Sequence, residues 1–160
     1  MQNLNQLLKL LLEAKIDFVL IGGYAGVVHG CTQLTRDLDI CAALTDEDIK
    51  KLRDCLKDYN PKLRMNPNFK PSFMEQPKST KNLNAIYLET DIGVLDILKS
   101  VIAIGDFSAV KRNAQLIDVF GLPCQVISID DLIKAKKAMN RDKDKLVLKE
   151  LELVREKLKK

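Results

Sequence analysis

A single histidine, His29, serves the whole chain of 160 residues, which excludes a histidine-rich metal site. Placed near the end of a short helical stretch, it reads as a structural residue. The four cysteines, Cys31, Cys41, Cys55 and Cys124, are separated by 10, 14 and 69 positions. No zinc spacing matches those intervals, so reduced and mostly buried thiols are expected. Long apolar runs are also missing. Leu7, Leu8 and Leu10 to Leu12 are interrupted by Lys9 and followed by Glu13 and Lys15, too short for a membrane span and without a secretory cleavage pattern. No repeat and no linker divides the chain. The expectation is one cytoplasmic domain over residues 1–160 with no membrane association, its core over about 3–128 and a helical segment over about 129–158. A mass of 18.1 kDa with 46% hydrophobic and 30% charged residues suffices for a core without staples.

Charge is uneven. The net charge is +4, yet residues 60–82 alone hold five Lys/Arg against one acid, and residues 129–160 hold eleven against seven. The remainder of the chain is therefore acidic, and it contains the feature around which the rest is organised.

That feature is residues 18–42, FVLIGGYAGVVHGCTQLTRDLDICA. Phe18 to Ile21 read as a buried strand, Tyr24 to His29 as a short helix ended by Gly30, and residues 35–42 as a second strand. On that strand Asp37 and Asp39 project from the same face, about 6.5–7 Å apart. Leu38 and Ile40 point the other way. Two carboxylates so placed repel and need a counter-charge, for which a divalent cation is the usual choice. Gly22 and Gly23 end the first strand where the helix begins, and a backbone without Cβ atoms can approach a phosphate there.

Around this centre the elements are regular. Leu4, Leu7, Leu8 and Leu11 predict an amphipathic helix over 3–14. Thr45 followed by Asp46, Glu47 and Asp48 predicts a capped helix start rather than a second metal site. Residues 60–82 hold four of the five prolines and predict a long or mobile loop with a short edge strand near Phe69 to Phe73, a candidate flap over an acceptor. Residues 83–88 and 92–98 predict a hairpin. Asp96 stands inside its second strand, where an unpaired carboxylate is costly to bury. A metal or a basic residue is needed beside it, and with Asp37 and Asp39 it makes a third metal ligand. After a loop around Gly105, residues 115–120 and 122–128 predict a hairpin turning at Phe120-Gly121-Leu122, and helices follow over about 130–139 and 142–158.

Three converging carboxylates suit two-metal phosphoryl chemistry, with magnesium as the ion because substrate phosphates complete its octahedron. Gly22-Gly23, Thr35-Arg36-Asp37-Leu38-Asp39-Ile40 and the later strand with Asp96 resemble the DNA polymerase β-like nucleotidyltransferase superfamily. The branch most similar is that of small bacterial enzymes related to abortive-infection and toxin–antitoxin nucleotidyltransferases. The run from Asp131-Leu132-Ile133 through Lys136, Arg141, Lys143 and Asp144 is similar to that branch's Lys…Arg-x-Lys-Asp segment. The resemblance implies an α+β fold, a mixed sheet flanked by helices, with magnesium and a nucleoside triphosphate in the cleft. It implies transfer of a nucleoside monophosphate to a hydroxyl of tRNA or other RNA, a protein, or a small molecule such as an aminoglycoside, with a cognate protein partner in a toxin–antitoxin or phage-defence setting. By the same resemblance Lys136 and Arg141 contact phosphates or brace the cleft; read from charge alone they are a solvated lysine and an ion pair with Asp144. Many members carry Gly-Ser where this chain has Gly22-Gly23-Tyr24. That departure motivates the alternative of a catalytically silent nucleotide-binding or antitoxin-like protein with the same fold.

Overall fold

The computed structural model describes residues 3–159. Asn3 accepts a hydrogen bond from the Gln6 amide at 3.0 Å and so caps α1, Leu4–Glu13, which buries Leu7, Leu8 and Leu11. Strand β1, Phe18–Ile21, is buried along its whole length. Helix α2, Gly22–His29, follows with no intervening turn and ends at Gly30. It starts two residues earlier than the sequence predicts, because Gly22 itself supplies the bend at φ +70°. Strand β2, Asp37–Ala42, leads to α3, Asp46–Leu56, which opens with a reciprocal capping box between Thr45 and Asp48. The acidic cluster at 46–48 is thus helix-start chemistry.

Strand β3 is only Lys62–Leu63; β4, Ala85–Thr90, and β5, Gly93–Leu98, form the expected hairpin. Two further short strands, β6, Ser100–Val101, and β7, Gly105–Asp106, precede α4, Phe107–Arg112. Strands β8, Gln115–Val119, and β9, Leu122–Val126, are joined by Phe120-Gly121, both at positive φ, a tight two-residue turn. Ser128 caps α5, Ile129–Met139, and after a left-handed Asn140 the chain enters α6, Asp142–Leu158. The seven-stranded sheet has the order β3-β4-β5-β2-β1-β9-β8. Its β2–β5 and β1–β9 pairs are parallel and the others antiparallel.

On one face α1 packs against β2 and β5 and beside α3, with Leu4 and Leu7 over Gly93. This face is the core, where Leu38, Ile40, Leu95 and Ile97 are fully buried. The other face is flanked by α2, which packs against β1, β2 and α5, while α5 packs on α6. All four cysteines are free, and burial pushes the Cys41 thiol up to about 12 and Cys55 and Cys124 to about 11. His29 Nε2 lies 2.7 Å from the Ile127 carbonyl, tying α2 to the end of β9. Among the described residues no helix is long and apolar enough to cross a membrane.

Two expectations need correction. The loop around Gly105 contains α4, whose six residues bury only Val110 and are too few to show a helical period. The 60–82 segment is the expected long loop, but its edge strand lies at Lys62–Leu63 rather than near Phe69 to Phe73, and the loop is tethered. Phe73 is fully buried, and Arg53 donates from Nε to the Phe73 carbonyl and from Nη2 to the Pro77 carbonyl, both at 2.7 Å. The region of Phe69 to Phe73 contributes only isolated bridges, Lys62 with Ser72 and Asn66 with Phe69.

Candidate active site

The register of the sheet assembles the site. Ile21 pairs with Asp39 across β1 and β2, Asp39 with Asp96 across β2 and β5, and Asp96 with Tyr87 across β5 and β4. Side chains at paired positions share a face. Ile21, Asp39, Asp96 and Tyr87 therefore form one row across four strands, with Asp37 two residues along on the same side. The intervening apolar residues anchor both acid-bearing strands in the core.

The electrostatic consequence is concentrated on Asp39. Burial, then the charges of Asp96 and Asp37, push its carboxyl up to about 6, against the pull of Lys136. Burial also pushes Asp96 up, while Arg64, which donates from Nη2 to Asp96 Oδ1, works against that rise. The basic residue that Asp96 calls for is thus present, 32 positions away in sequence.

Gly22 and Gly23 stand at the other side of this row. A Cβ on Gly22 would collide with the Asp39 carboxylate and come within 2.9 Å of its Cβ; one on Gly23 would meet Thr35 Oγ1 at 3.0 Å. Thr35 is itself fixed, donating to the Asp37 carbonyl at 2.9 Å. Helix α2 has no side-chain cap at its N-terminus, so its first amides are left for a ligand or water.

Lys136, on α5, and Arg141, between α5 and α6, converge on Asp144, whose side chain is 1% exposed. Lys136 Nζ lies 3.3 Å from Oδ1, and Arg141 donates from Nε to Oδ2 at 2.6 Å. Burial opposes the Asp144 charge, but the hydrogen bonds from Arg141 and the charge of Lys136 hold it at about 2. Two cations on one anion leave a net positive charge beside the aspartates.

Gly22, Gly23, Asp37, Asp39, Asp96, Lys136 and Arg141 all line one cleft of about 770 Å³. A separate hollow of about 310 Å³ at the turn end of the β4–β5 hairpin, bounded by Asn60, Lys62, Glu89 and Asp91, contains none of them. Among the described residues no group of three or more acidic, cysteine or histidine side chains is arranged to hold a metal ion. Sequence reasoning missed Arg64 and Tyr87. The need of Asp96 for a basic neighbour was the available signal for the first, and the alternation of β4 for the second.

No protein-family model matches the chain, and no curated protein matches it in sequence. Solved structures do match. The lincosamide antibiotic adenylyltransferase LnuA, with lincomycin bound, aligns at TM-score 0.65 and 18% identity over 94% of this chain and 95% of its own. The enzyme ANT(2")-Ia in complex with adenylyl-2"-tobramycin aligns at TM-score 0.56 and 11% identity over 98% and 97%. An antigenic nucleotidyltransferase-like protein from Paracoccidioides brasiliensis aligns at TM-score 0.55 and 12% identity over 94% of this chain and 71% of its own. The mixed sheet, its flanking helices and these alignments together show that the chain has the nucleotidyltransferase fold.

Proposed function

We propose that the protein is a magnesium-dependent nucleotidyltransferase, moving a nucleoside monophosphate from a nucleoside triphosphate to a hydroxyl acceptor. The observation that carries this reading is the row of Asp39 and Asp96, with Asp37 beside it, facing the uncapped start of α2 across one cleft. Magnesium fits the residues present: the donors are all carboxylate oxygens, and burial together with the charges of Asp96 and Asp37 lifts Asp39 to about 6. Asp37 and Asp39 would hold it, water and phosphate oxygens completing the shell. When bound, it supplies charge neutralisation and polarises the phosphoryl group.

The chain's own groups do the rest. The amides of Gly22 and Gly23 cradle phosphate oxygens, and the Lys136–Arg141–Asp144 cluster adds positive charge for the triphosphate. Asp96 takes the proton of the acceptor hydroxyl as its oxygen bonds to the α-phosphorus and pyrophosphate departs. Positioning supplies much of the rate, with no covalent intermediate.

For the acceptor, Leu98, Val101, Ile102 and Met139 give the cleft an apolar wall suited to a small hydroxylated molecule. Full-length alignment with two antibiotic-modifying proteins supports that choice. An RNA end would instead use the basic segments at 60–82 and 129–160, and a protein acceptor or cognate partner in a toxin–antitoxin or phage-defence role follows only from the resemblance.

Calorimetry with a nucleoside triphosphate is expected to show binding that requires magnesium. Binding indifferent to magnesium, or none, would favour the silent protein. Gly22→Val is expected to lower transfer roughly 100-fold, because the added carbons displace Asp39 from its productive position. Single-turnover rates check this, with circular dichroism as the control for folding.

A further inference from the structure

We infer that Arg64 is a built-in cation of the site, holding Asp96 so that the chain takes up one divalent ion rather than two. This rests on the nucleotidyltransferase reading. Arg64 directly follows β3, and its amide donates to the Tyr87 carbonyl at 3.0 Å. That bond adds Arg64 to the end of the row, beside Tyr87, Asp96 and Asp39. The guanidinium lies 5.7 Å from the centroid of the Tyr87 ring and donates to Asp96 Oδ1. The two side chains are 31% and 15% exposed, so water screens their attraction only in part.

The balance of charge points the same way. Asp37, Asp39 and Asp96 carry three negative charges, and the Arg64 guanidinium already offsets the one on Asp96. Lys136 and Arg141 are engaged by Asp144 and do not fill the place at Asp96. A second divalent ion at Asp96 would stand against the Arg64 guanidinium on the same carboxylate, and one that took Oδ1 would leave that guanidinium unpaired in a half-buried position, which is costly. A guanidinium brings no bound water, so the acceptor hydroxyl is left to Asp96 itself.

The test is Mn²⁺ binding, followed by electron paramagnetic resonance on the full chain with a saturating nonhydrolysable nucleoside triphosphate analogue. After correction for Mn²⁺ held by free analogue, the wild type is expected to bind one ion per chain, Arg64→Lys one, and Arg64→Gln two. Two ions on the wild type would overturn the inference and leave the nucleotidyltransferase reading standing. One ion on both wild type and Arg64→Gln, with circular dichroism showing both folded, would also overturn it, since Arg64 would not be what limits the count. No ion on the wild type would overturn the reading of the site and this inference with it.

Discussion

Asp39→Asn is expected to abolish nucleotidyl transfer while raising the melting temperature. Asp39 sits in the middle of the acidic row, between Ile21 and Asp96, with Asp37 on the same face. Its carboxyl, pushed to about 6 by burial and by those two charges, is ionised at neutral pH at a cost to the fold. A rise of that size corresponds to about 3 kcal/mol, which partial solvation reduces to about 1–2 kcal/mol. Asparagine keeps the shape and removes the charge, so the melting temperature should rise by about 2–8 °C. Transfer should fall by roughly 10³-fold or more, the scale of losing a group that stabilises developing charge. Thermal melts without metal and single-turnover assays with magnesium check the two halves separately. A variant that melts lower than the wild type would show that burial and the neighbouring charges do not hold the Asp39 carboxylate at a cost to the fold.

Asp144→Ala should have the opposite effect on stability. Asp144 is almost completely buried and receives Lys136 and Arg141, so its loss leaves two cations facing each other beside the cleft. The expected cost is about 2–4 kcal/mol, somewhat below that of breaking a fully buried ion pair because the Arg141 side chain is half exposed. The sign with pH follows from its low folded-state pKa of about 2 against an ordinary 3.8. The stability it contributes is present above about pH 4 and is lost as the pH falls toward 2, where the folded carboxyl takes up its proton. That part is about 2 kcal/mol. Urea midpoints for wild type and Asp144→Ala should therefore lie far apart at pH 7 and close together near pH 2. A gap independent of pH would assign the effect to packing instead.

Much of the fold could be read from the chain. The period of Leu4, Leu7, Leu8 and Leu11, the Thr45 cap and the Phe120-Gly121 turn are local signals, and each marks its element within a few residues. Asp37, Asp39 and Asp96 were legible because charge interrupts strands that are otherwise apolar. Helix α4 was not, because six residues with one buried side chain carry no period. Nor was the tethering of the proline-rich segment, which depends on Phe73 entering the core and on Arg53 reaching two carbonyls from another helix. Arg64 was hidden for a related reason. Its place beside Asp96 depends on β3 joining the sheet edge, a pairing between distant residues that composition does not reveal.

The most direct test is transfer of label from α-labelled nucleoside triphosphates, with magnesium, to total bacterial RNA, protein and a panel of hydroxylated small molecules including aminoglycosides and lincosamides. Wild type and the Asp37→Asn/Asp39→Asn double variant would run side by side, both shown to be folded by circular dichroism. Label transferred by the wild type and lost in the variant is the expected result, and the labelled fraction identifies the acceptor. Equal transfer by both proteins would contradict the role of the two aspartates and, with it, the proposed site.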